Sequence, residues 1–523
     1  MKQKSVRFFL LLATCILLAV GCLRSQPTQA ATIWKITPSQ AAIEKKPAAS
    51  MTPAPINTLT SPPTVTAATA EQKIFIPTLL KAGPPVIFSV ESNEHFAVGQ
   101  VLFNRMGEIS AQKVRLNSRV SWRLLQPNGP DDPIDWNKLA DFEKELRALS
   151  QLNIRPIIVL NDSPRWATVK PTSCAAIRTD RFNAYAAFIT QLIQRYSAPE
   201  FNVHDWELGN EVDVDSDLGL ETDSVYGCWG DISKADYGGS QYGEMLKVVG
   251  PAIRQADPSA VIWMSGLLLA SPDTSASDTQ GTKGCPECFF DGVLSTGAAP
   301  YIDIVAYHYY PPYLNEVRDY DVLYPWHNLG GGVRGKAQFL RNVMAKYGVN
   351  KPLALNEIAL MCAEVVGGQP VSYCTPPNSQ FFEVQADFLV KVFTRAWSVD
   401  IMNVSWYTLN GPAWRYTGLV ESSTNLVTPA YAAYVEYLDR LRDGEFQAAH
   451  NYGQDIEAYT FKKDGYLVDV VWANVNEPKK IQIPQSQWIT AYDRNGNVIT
   501  PATVGAYYEV PVSVSPIYIE WHQ

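Results

Sequence analysis

Short apolar runs alternate with longer amphipathic stretches along most of this chain. An apolar run of roughly four to eight residues is typical of a buried strand, whereas apolar residues that recur every three or four positions are typical of a helix. Eight strand-like runs, separated by helical stretches, lie between Phe96 and Trp406. Because a crossover helix joins neighbouring parallel strands, this alternation predicts an α/β fold, a closed (β/α)8 TIM barrel.

The individual elements of the barrel can be read from the same pattern. The predicted strands are Phe96–Phe103, Lys113–Val120, Arg155–Leu160, Val203–Leu208, Ala260–Met264, Ile302–Tyr307, Pro352–Leu355 and Met402–Trp406. The clearest predicted helices are Trp136–Leu152, Phe182–Tyr196, Tyr242–Ala256, Lys336–Tyr347 and Phe381–Ser398. The first helix is expected to be short, around Met106–Gln112.

The pattern changes after the helical stretch Pro429–Leu441. Short alternating runs with turn signals between them predict a small C-terminal antiparallel β-sandwich domain. Lys463–Gly465 and Arg494–Gly496 read as hairpin turns. The segment Lys73–Glu91 is strand-like and could add to this domain. The alternating runs are Ala458–Phe461, Tyr466–Trp472, Trp488–Tyr492 and Tyr507–Glu520.

The amino terminus predicts export. Three basic residues precede the apolar run Phe8–Val20, which is too short to span a membrane as a helix and fits a signal peptide. The run ends in Leu18-Ala19-Val20-Gly21-Cys22, which resembles a bacterial lipoprotein box with Ala19 where Leu is usual. Lipidation of Cys22 is therefore the first prediction, and ordinary cleavage after Thr28-Gln29-Ala30 is the alternative.

A stretch rich in Pro, Thr, Ala and Ser follows the signal. Such a composition cannot bury enough apolar surface to offset its ordering entropy, so it reads as a tether. The predicted organisation is a signal over 1–22, a tether over 23–72, a barrel with a leading strand segment over 73–443 and the β domain over 444–523. The expected location is outside the cytoplasm, as a cell-surface lipoprotein or, without the lipid, a secreted protein.

Length and charge limit the classes of partner that this chain can have. The 523 residues are long enough for a large core, and the net charge of −9 with a pI near 5.3 argues against a nucleic-acid partner, which would favour a basic face. The only expected membrane contact is through the N-terminal lipid or signal.

Cysteine usage agrees with export. Two of the eight cysteines lie in the signal, and an even set of six remains. Cys285 with Cys288 and Cys362 with Cys374 are the local pairings, which leaves Cys174 to join Cys228 across two barrel loops. Half a zinc site or a redox pair is the alternative for Cys285 and Cys288, although no second Cys pair or closely spaced His supplies further ligands.

Two glutamates carry the candidate chemistry. Glu211 follows the predicted fourth strand in Trp206-Glu207-Leu208-Gly209-Asn210-Glu211, and Glu357 ends the seventh in Leu353-Ala354-Leu355-Asn356-Glu357. Barrel enzymes keep their chemistry at the carboxyl ends of the strands. Two carboxylates facing one cavity suit glycoside hydrolysis, in which one protonates the leaving oxygen and the other attacks or stabilises the sugar cation.

These motifs resemble clan A of the retaining glycoside hydrolases, and specifically glycoside hydrolase family 39 and its relatives. The Asn-Glu pair after strand four and the Glu at the end of strand seven carry the resemblance, which covers roughly Phe96 to Asp443. Further matching stretches occur in the same order, namely Val114-Arg115-Leu116, Ser121-Trp122 with Pro127, Asp135-Trp136, Ser163-Pro164-Arg165-Trp166-Ala167 and His308-Tyr309-Tyr310.

The resemblance implies roles for seven residues. Glu211 would be the general acid/base, Glu357 the nucleophile, and Asn210 the partner of the sugar 2-hydroxyl. Arg115 would hold Glu357 ionised. His308 and Tyr310 would orient the nucleophile or bind sugar hydroxyls, and Trp406 would lie beneath the sugar.

The sequence therefore predicts an exported retaining β-glycosidase that acts on carbohydrate by double displacement, without a metal or other cofactor. The alternative is a noncatalytic glycan-binding surface lipoprotein built on the same barrel, which would not need both glutamates.

Overall fold

The computed structural model describes residues 86–93, 100–109, 111–218, 227–272, 285–366 and 368–522. The predicted signal, lipidation site Cys22 and tether lie outside the described residues. Among the helices of these segments, none is both long and apolar enough to cross a membrane.

Eight parallel strands close into a barrel, which confirms the predicted fold class. Each strand pairs with its sequence neighbours, and the first strand pairs with the eighth to close the ring. The strands are β1 (Ile87–Glu91), β2 (Lys113–Ser121), β3 (Arg155–Asn161), β4 (Asp205–Asn210), β5 (Val261–Leu267), β6 (Ile304–Tyr309), β7 (Leu353–Ile358) and β8 (Ile401–Trp406).

The predicted first strand is wrong. Part of Phe96–Phe103 lies outside the described residues, and the rest belongs to the helix Gln100–Glu108. The strand that closes the barrel is instead Ile87–Glu91, which pairs with β8 on one side and β2 on the other. That run lies within Lys73–Glu91, the segment expected to add to the C-terminal domain.

Helices cover the outside of the barrel. Most agree with the sequence pattern, because their apolar residues face the strands at helical spacing. The helices are α1 (Gln100–Glu108), α2 (Ala140–Gln151), α3 (Phe182–Tyr196), α4 (Gly239–Ala256), α5 (Phe289–Ser295), α6 (Gly332–Lys346), α7 (Ser379–Ser398) and α8 (Pro429–Leu441).

The barrel interior is packed at its amino-terminal end. Ile157, Trp263, Ile304, Ala306 and Ala354 form a buried apolar cluster there. The interior is filled, as barrel cores are, so the chemistry is confined to the opposite rim.

The C-terminal region forms two antiparallel sheets. One sheet has the order β9 (Glu445–Ala449), β10 (Ile456–Lys463), β11 (Tyr466–Ala473), β16 (Ile517–Trp521), β13 (Trp488–Asp493), and the other has the order β12 (Lys479–Pro484), β15 (Tyr507–Val512), β14 (Ala502–Val504). The predicted run Tyr507–Glu520 is thus two strands in different sheets. Separately, Val365–Val366 and Gln369–Pro370 form a short hairpin.

Buried ion pairs join the β sheets to the barrel helices. Arg395 of α7 pairs with Glu457 of β10 at 2.6 Å, and it also contacts Asp319 and Asp321 of the loop after β6. Arg494, just after β13, pairs with Asp387 of α7 at 2.9 Å. Because the β sheets cover these helices, they shield the outer face of the barrel.

Candidate active site

Glu211 and Glu357 come together at the carboxyl-end rim. Glu357 lies within β7, opposite His308 of β6 in the register. Glu211 follows β4 directly, and a sharp backbone turn with φ values of 105° at Gly209 and 50° at Glu211 directs it into the barrel mouth. A non-glycine residue with positive φ is uncommon and tends to occur at functional sites.

His308 lies between the two carboxylates. Its Nδ1 atom is 3.0 Å from Glu211 Oε1 and 3.3 Å from Glu357 Oε2. One oxygen of each carboxylate and this nitrogen all lie within 4.8 Å of one another. Retaining glycosidases hold their two carboxyl groups about 5–5.5 Å apart, whereas inverting enzymes need about 6.5–9.5 Å to admit water. With one oxygen of each within 4.8 Å, Glu211 and Glu357 are closer to the first spacing than to the second.

Burial shifts the pKa values of Glu211 and His308 in opposite directions. It raises the pKa of Glu211 to about 7, against the opposing charges of Arg115 and Lys336. It also lowers the pKa of His308 to about 4, so the imidazole is neutral near pH 7. Glu211 therefore keeps its proton mainly below about pH 7, the state that a general acid needs.

Arg115 is the fixed cation beneath Glu357. This fully buried side chain on β2 donates from Nη1 to Glu357 and Glu91. Its Nε and Nη2 atoms form a bidentate pair with Glu207 at 2.8 and 2.9 Å, and Nη2 also donates to Asn210 Oδ1 at 2.7 Å. The guanidinium thus ties four side chains into one network.

Tyr310 completes the contacts of Glu357, because its hydroxyl donates to Oε2 of that carboxylate. The Tyr310 ring meets the rings of Tyr407 and Trp414 edge to face, with centroids 5.5 Å away in each case. Trp414 remains 45% exposed. These three rings form an aromatic corner at the rim, suited to the apolar face of a sugar.

The prediction that Trp406 lies beneath the sugar is wrong. The side chain is fully buried, its indole N–H donates to the carbonyl of Thr417 at 2.9 Å, and its ring packs against Phe388 of α7. Successive strand residues point to opposite faces, and Ser405 already points inward to Ser89. The aromatic ring at the mouth is instead that of Tyr407.

Glu211, His308 and Glu357 form the one group of metal-ligating side chains found among the described residues. Both oxygens of Glu357 already accept hydrogen bonds, from Arg115 and from Tyr310. A guanidinium in contact with a ligand oxygen opposes a second cation there. The arrangement therefore suits acid–base and nucleophilic chemistry better than metal binding.

Lys336 supports the site from behind. Its ammonium group donates to the backbone carbonyls of His308 at 2.6 Å and Leu268 at 2.7 Å. Burial lowers its pKa to about 7. Sequence reasoning missed Lys336, Glu91, Glu207 and Tyr407. Glu207 was visible within the strand-four motif, but a charged residue inside a strand gives no sign of which partner it meets.

The six cysteines are joined in the three predicted pairs, Cys174–Cys228, Cys285–Cys288 and Cys362–Cys374. Cys285 and Cys288 therefore bond to each other rather than forming half of a zinc site. Cys228 lies in a segment that pairs with the backbone after Glu211, through Trp229 N to Val212 O at 3.0 Å and Gly230 N to Val214 O at 2.9 Å. The Cys174 bond thus anchors the Glu211 loop.

Removing this anchor is expected to cost more stability than removing the local pair. The Cys174–Cys228 bond closes a loop of 54 positions, so replacing both residues by Ser should lower the free energy of unfolding by about 4 kcal/mol. The matched change at Cys285 and Cys288, which spans 3 positions, should cost about 1.5 kcal/mol. Urea unfolding measures both, and equal losses would contradict the loop-closure argument.

No protein-family profile matches the chain. No curated protein matches it either. Several solved structures do match the chain in fold. A family 39 glycoside hydrolase from the gut symbiont Bacteroides cellulosilyticus WH2 is 16% identical, with a TM-score of 0.60 over 83% of this chain and 80% of that chain. The fold is that of glycoside hydrolases.

Two further structures agree with this chain in fold. A conserved exported protein from Bacteroides fragilis is 13% identical, with a TM-score of 0.59 over 84% of this chain and 98% of that chain. A family 30 subfamily 8 xylanase from Clostridium acetobutylicum is 12% identical, with a TM-score of 0.54 over 85% and 97%. The clan A resemblance is thereby confirmed at the level of fold.

Proposed function

We propose that this protein is an exported retaining β-glycosidase that hydrolyses O-glycosidic bonds of poly- or oligosaccharides by double displacement. The observation that carries the proposal is that one oxygen of Glu211 and one oxygen of Glu357 lie within 4.8 Å of each other at the carboxyl-end rim. The unlike surroundings of the two carboxylates support it further. Glu211 has a pKa raised by burial, whereas Glu357 accepts a hydrogen bond from a guanidinium.

In the first step, Glu357 attacks the anomeric carbon while Glu211 gives its proton to the leaving oxygen. The glycosidic C–O bond breaks as the glycosyl ester of Glu357 forms. In the second step, ionised Glu211 takes a proton from water, whose oxygen attacks the anomeric carbon and releases Glu357. Asn210, fixed by Arg115, would bind the sugar 2-hydroxyl.

His308 fits both steps as a neutral donor. Its Nε2 atom is buried and makes no hydrogen bond within the described residues, whereas Nδ1 faces both carboxylates. This arrangement favours the tautomer with the proton on Nδ1. The N–H would donate to ionised Glu357 before attack and to ionised Glu211 afterwards, while Tyr310 holds the other side of Glu357.

Three disulfides support an extracytoplasmic location, because such bonds persist in oxidising compartments. We propose attachment to the membrane through a lipid on Cys22 and a flexible tether. Detection of a lipidated Cys22 at the amino terminus of the mature protein, by mass spectrometry, would support the attachment. A mature chain that begins after Ala30 would contradict it.

The test of function is a screen of the full-length protein against β-linked glycans, including xylan, and aryl β-glycosides. A double variant, Glu211→Ala with Glu357→Ala, is the control. Sugar release by the parent alone, with the product keeping its anomeric configuration by NMR, is the expected result. Equal glycan binding by both proteins without any hydrolysis would favour the noncatalytic alternative.

The rate should fall as pH rises through about 7. Since Glu211 must be protonated to act as an acid and burial raises its pKa to about 7, the basic limb of kcat/KM should have an apparent pKa near that value. A substrate whose leaving group needs no proton should show a weaker basic limb. If the basic limb is identical for both leaving groups, it reports the titration of a residue other than Glu211.

A further inference from the structure

Arg115 donates hydrogen bonds to three buried carboxylates, those of Glu91, Glu207 and Glu357. The side chains of all three are at most 5% exposed. Three adjacent negative charges around one positive charge are strongly unfavourable where all the side chains are buried. At least one of the three groups must therefore carry a proton.

The hydrogen bonds of Glu207 have the pattern of a carboxylate that only accepts. Its Oε2 atom accepts from Arg115 Nε at 2.8 Å, and its Oε1 atom accepts from Arg115 Nη2 at 2.9 Å and from the backbone N–H of Gly266 at 3.0 Å. Both oxygens are thus acceptors in a bidentate pair, the geometry that stabilises a carboxylate.

Glu357 has the same acceptor character. One oxygen accepts from Arg115 and the other from the hydroxyl of Tyr310. Under the proposed function it must also be ionised to attack the sugar. Neither Glu207 nor Glu357 is thus placed to hold the extra proton.

Glu91 differs from both. Within the described part of the chain, its carboxyl group accepts from a single donor, Arg115 Nη1, which it shares with Glu357. Nη1 carries two N–H groups and can give one to each carboxyl group, which brings Glu91 and Glu357 side by side. Two carboxylates that lie this close do not both ionise readily. The charged groups facing Glu91 are Arg115, Glu207 and Glu357.

We propose that Glu91 is a positioning residue that holds the extra proton of this cluster, which leaves the Nη1 contact of Arg115 to a single anion, Glu357. The role in catalysis rests on the proposed function, whereas the location of the proton does not. The neighbouring Tyr310 and Tyr407 are kept neutral, because burial raises the pKa of each phenol.

The electrostatics agree with this assignment. Burial raises the pKa of Glu91 well above its ordinary value of 4.5, the charge of Glu357 adds to the rise, and Arg115 opposes it. If Glu91 were ionised, its charge would repel that of Glu357, and the positive charge of Arg115 would be divided between two neighbouring anions. The proton on Glu91 therefore keeps the charge of Arg115 available to the nucleophile Glu357, although Glu91 does not touch the reacting atoms.

The activity test compares Glu91→Gln with Glu207→Gln, the same chemical change on two partners of one guanidinium. An amide resembles a protonated acid, so Glu91→Gln should keep kcat within about threefold, whereas Glu91→Ala should lose about 10- to 100-fold. Glu207→Gln removes an ionised partner and should lose a similar 10- to 100-fold. Equal losses in the two Gln variants would overturn the proposal.

A second test needs no substrate. Because the native pKa of Glu91 is raised, the folded protein holds a proton that the unfolded chain releases above about pH 4.5, so this group lowers stability as pH rises through that value. Glu91→Gln removes this penalty. Its Tm should match that of the parent near pH 4 and exceed it by about 2–4 °C at pH 7.

Glu207→Gln is the control for the stability test, and its Tm should fall below that of the parent at pH 7. A Tm of Glu91→Gln that falls below the parent at pH 7 but not near pH 4 would show that Glu91 is ionised and would overturn the proposal. If no glycan is hydrolysed but the Tm pattern appears, the proposed function fails while the proton assignment stands.

Discussion

Replacing Glu357 by Ala is expected to lower kcat on the order of 10⁵-fold for good and poor leaving groups alike. The reason is that no carboxylate remains to form the glycosyl ester, and Tyr310 and Arg115 lose their shared acceptor. Steady-state kinetics on a series of aryl β-glycosides measures the loss. Added azide should restore turnover and give a glycosyl azide of inverted configuration.

Glu211→Ala should behave differently within the same series. A poor leaving group needs the proton, so its kcat/KM should fall by about 10²- to 10⁴-fold, whereas an acidic phenol leaves without help. Azide should then give a product of retained configuration. Asp213→Asn is the control, since Asp213 is turned away to the backbone N–H groups of Leu268 and Leu269. Identical leaving-group profiles for both glutamate variants would refute the division of roles.

Arg115→Met is expected to have the largest effect on stability. The substitution leaves the buried carboxyl groups of Glu91, Glu207 and Glu357 without their common cation, and orphaning even one buried charge costs about 3–5 kcal/mol. Urea unfolding measures the loss. Near pH 4 the loss should shrink, because carboxylates that lack a cation have a raised pKa and become neutral.

Arg119→Met offers a comparison on the same strand. Among the described residues, Arg119 pairs with one buried carboxylate, that of Glu145, at 3.0 Å. The Arg119→Met variant should therefore lose less free energy of unfolding than Arg115→Met. Its loss should also depend less steeply on pH. If the two variants lose equal stability at both pH values, the three carboxylates do not form a single charged network.

Seven of the eight barrel strands could be predicted from the sequence, because each is an apolar run bounded by a helical stretch. The first strand could not. Ile87–Glu91 is only five residues long, and the apolar residues near Phe96 make a longer run that periodicity cannot separate from a helix. The C-terminal run Tyr507–Glu520 is interrupted after Val512, and Pro516, which cannot donate to a sheet ladder, lies in that break.

The candidate site was predictable where chain order and barrel closure determine position. Glu211 and Glu357 follow from the ends of β4 and β7, and Arg115 follows from the resemblance. The sequence says less about whether a strand residue points into the barrel or out toward the helices. Barrel strands are apolar on both faces, so alternation does not distinguish the inward Ser405 from the outward Trp406.

The role of Glu91 could not be predicted from the sequence. Its importance depends on three partners from other strands, none of them closer than Arg115, which is 24 positions away. Such a cluster has no local signature, because the spacing between partners is set only by the order of strands around the barrel. Errors in assigning β1 therefore removed Glu91 from consideration altogether.

The closure between β1 and β8 also has a consequence for biogenesis. Ile87 and Asn403 bond across 316 positions, so a growing chain carries two open sheet edges until nearly the whole barrel has been synthesised. Such non-local pairing is slow to form. A chain that stalls before β8 would therefore be a target for chaperones and proteases. The Arg115 cluster likewise needs Glu357 of β7, so a chain that stops before β7 cannot assemble it.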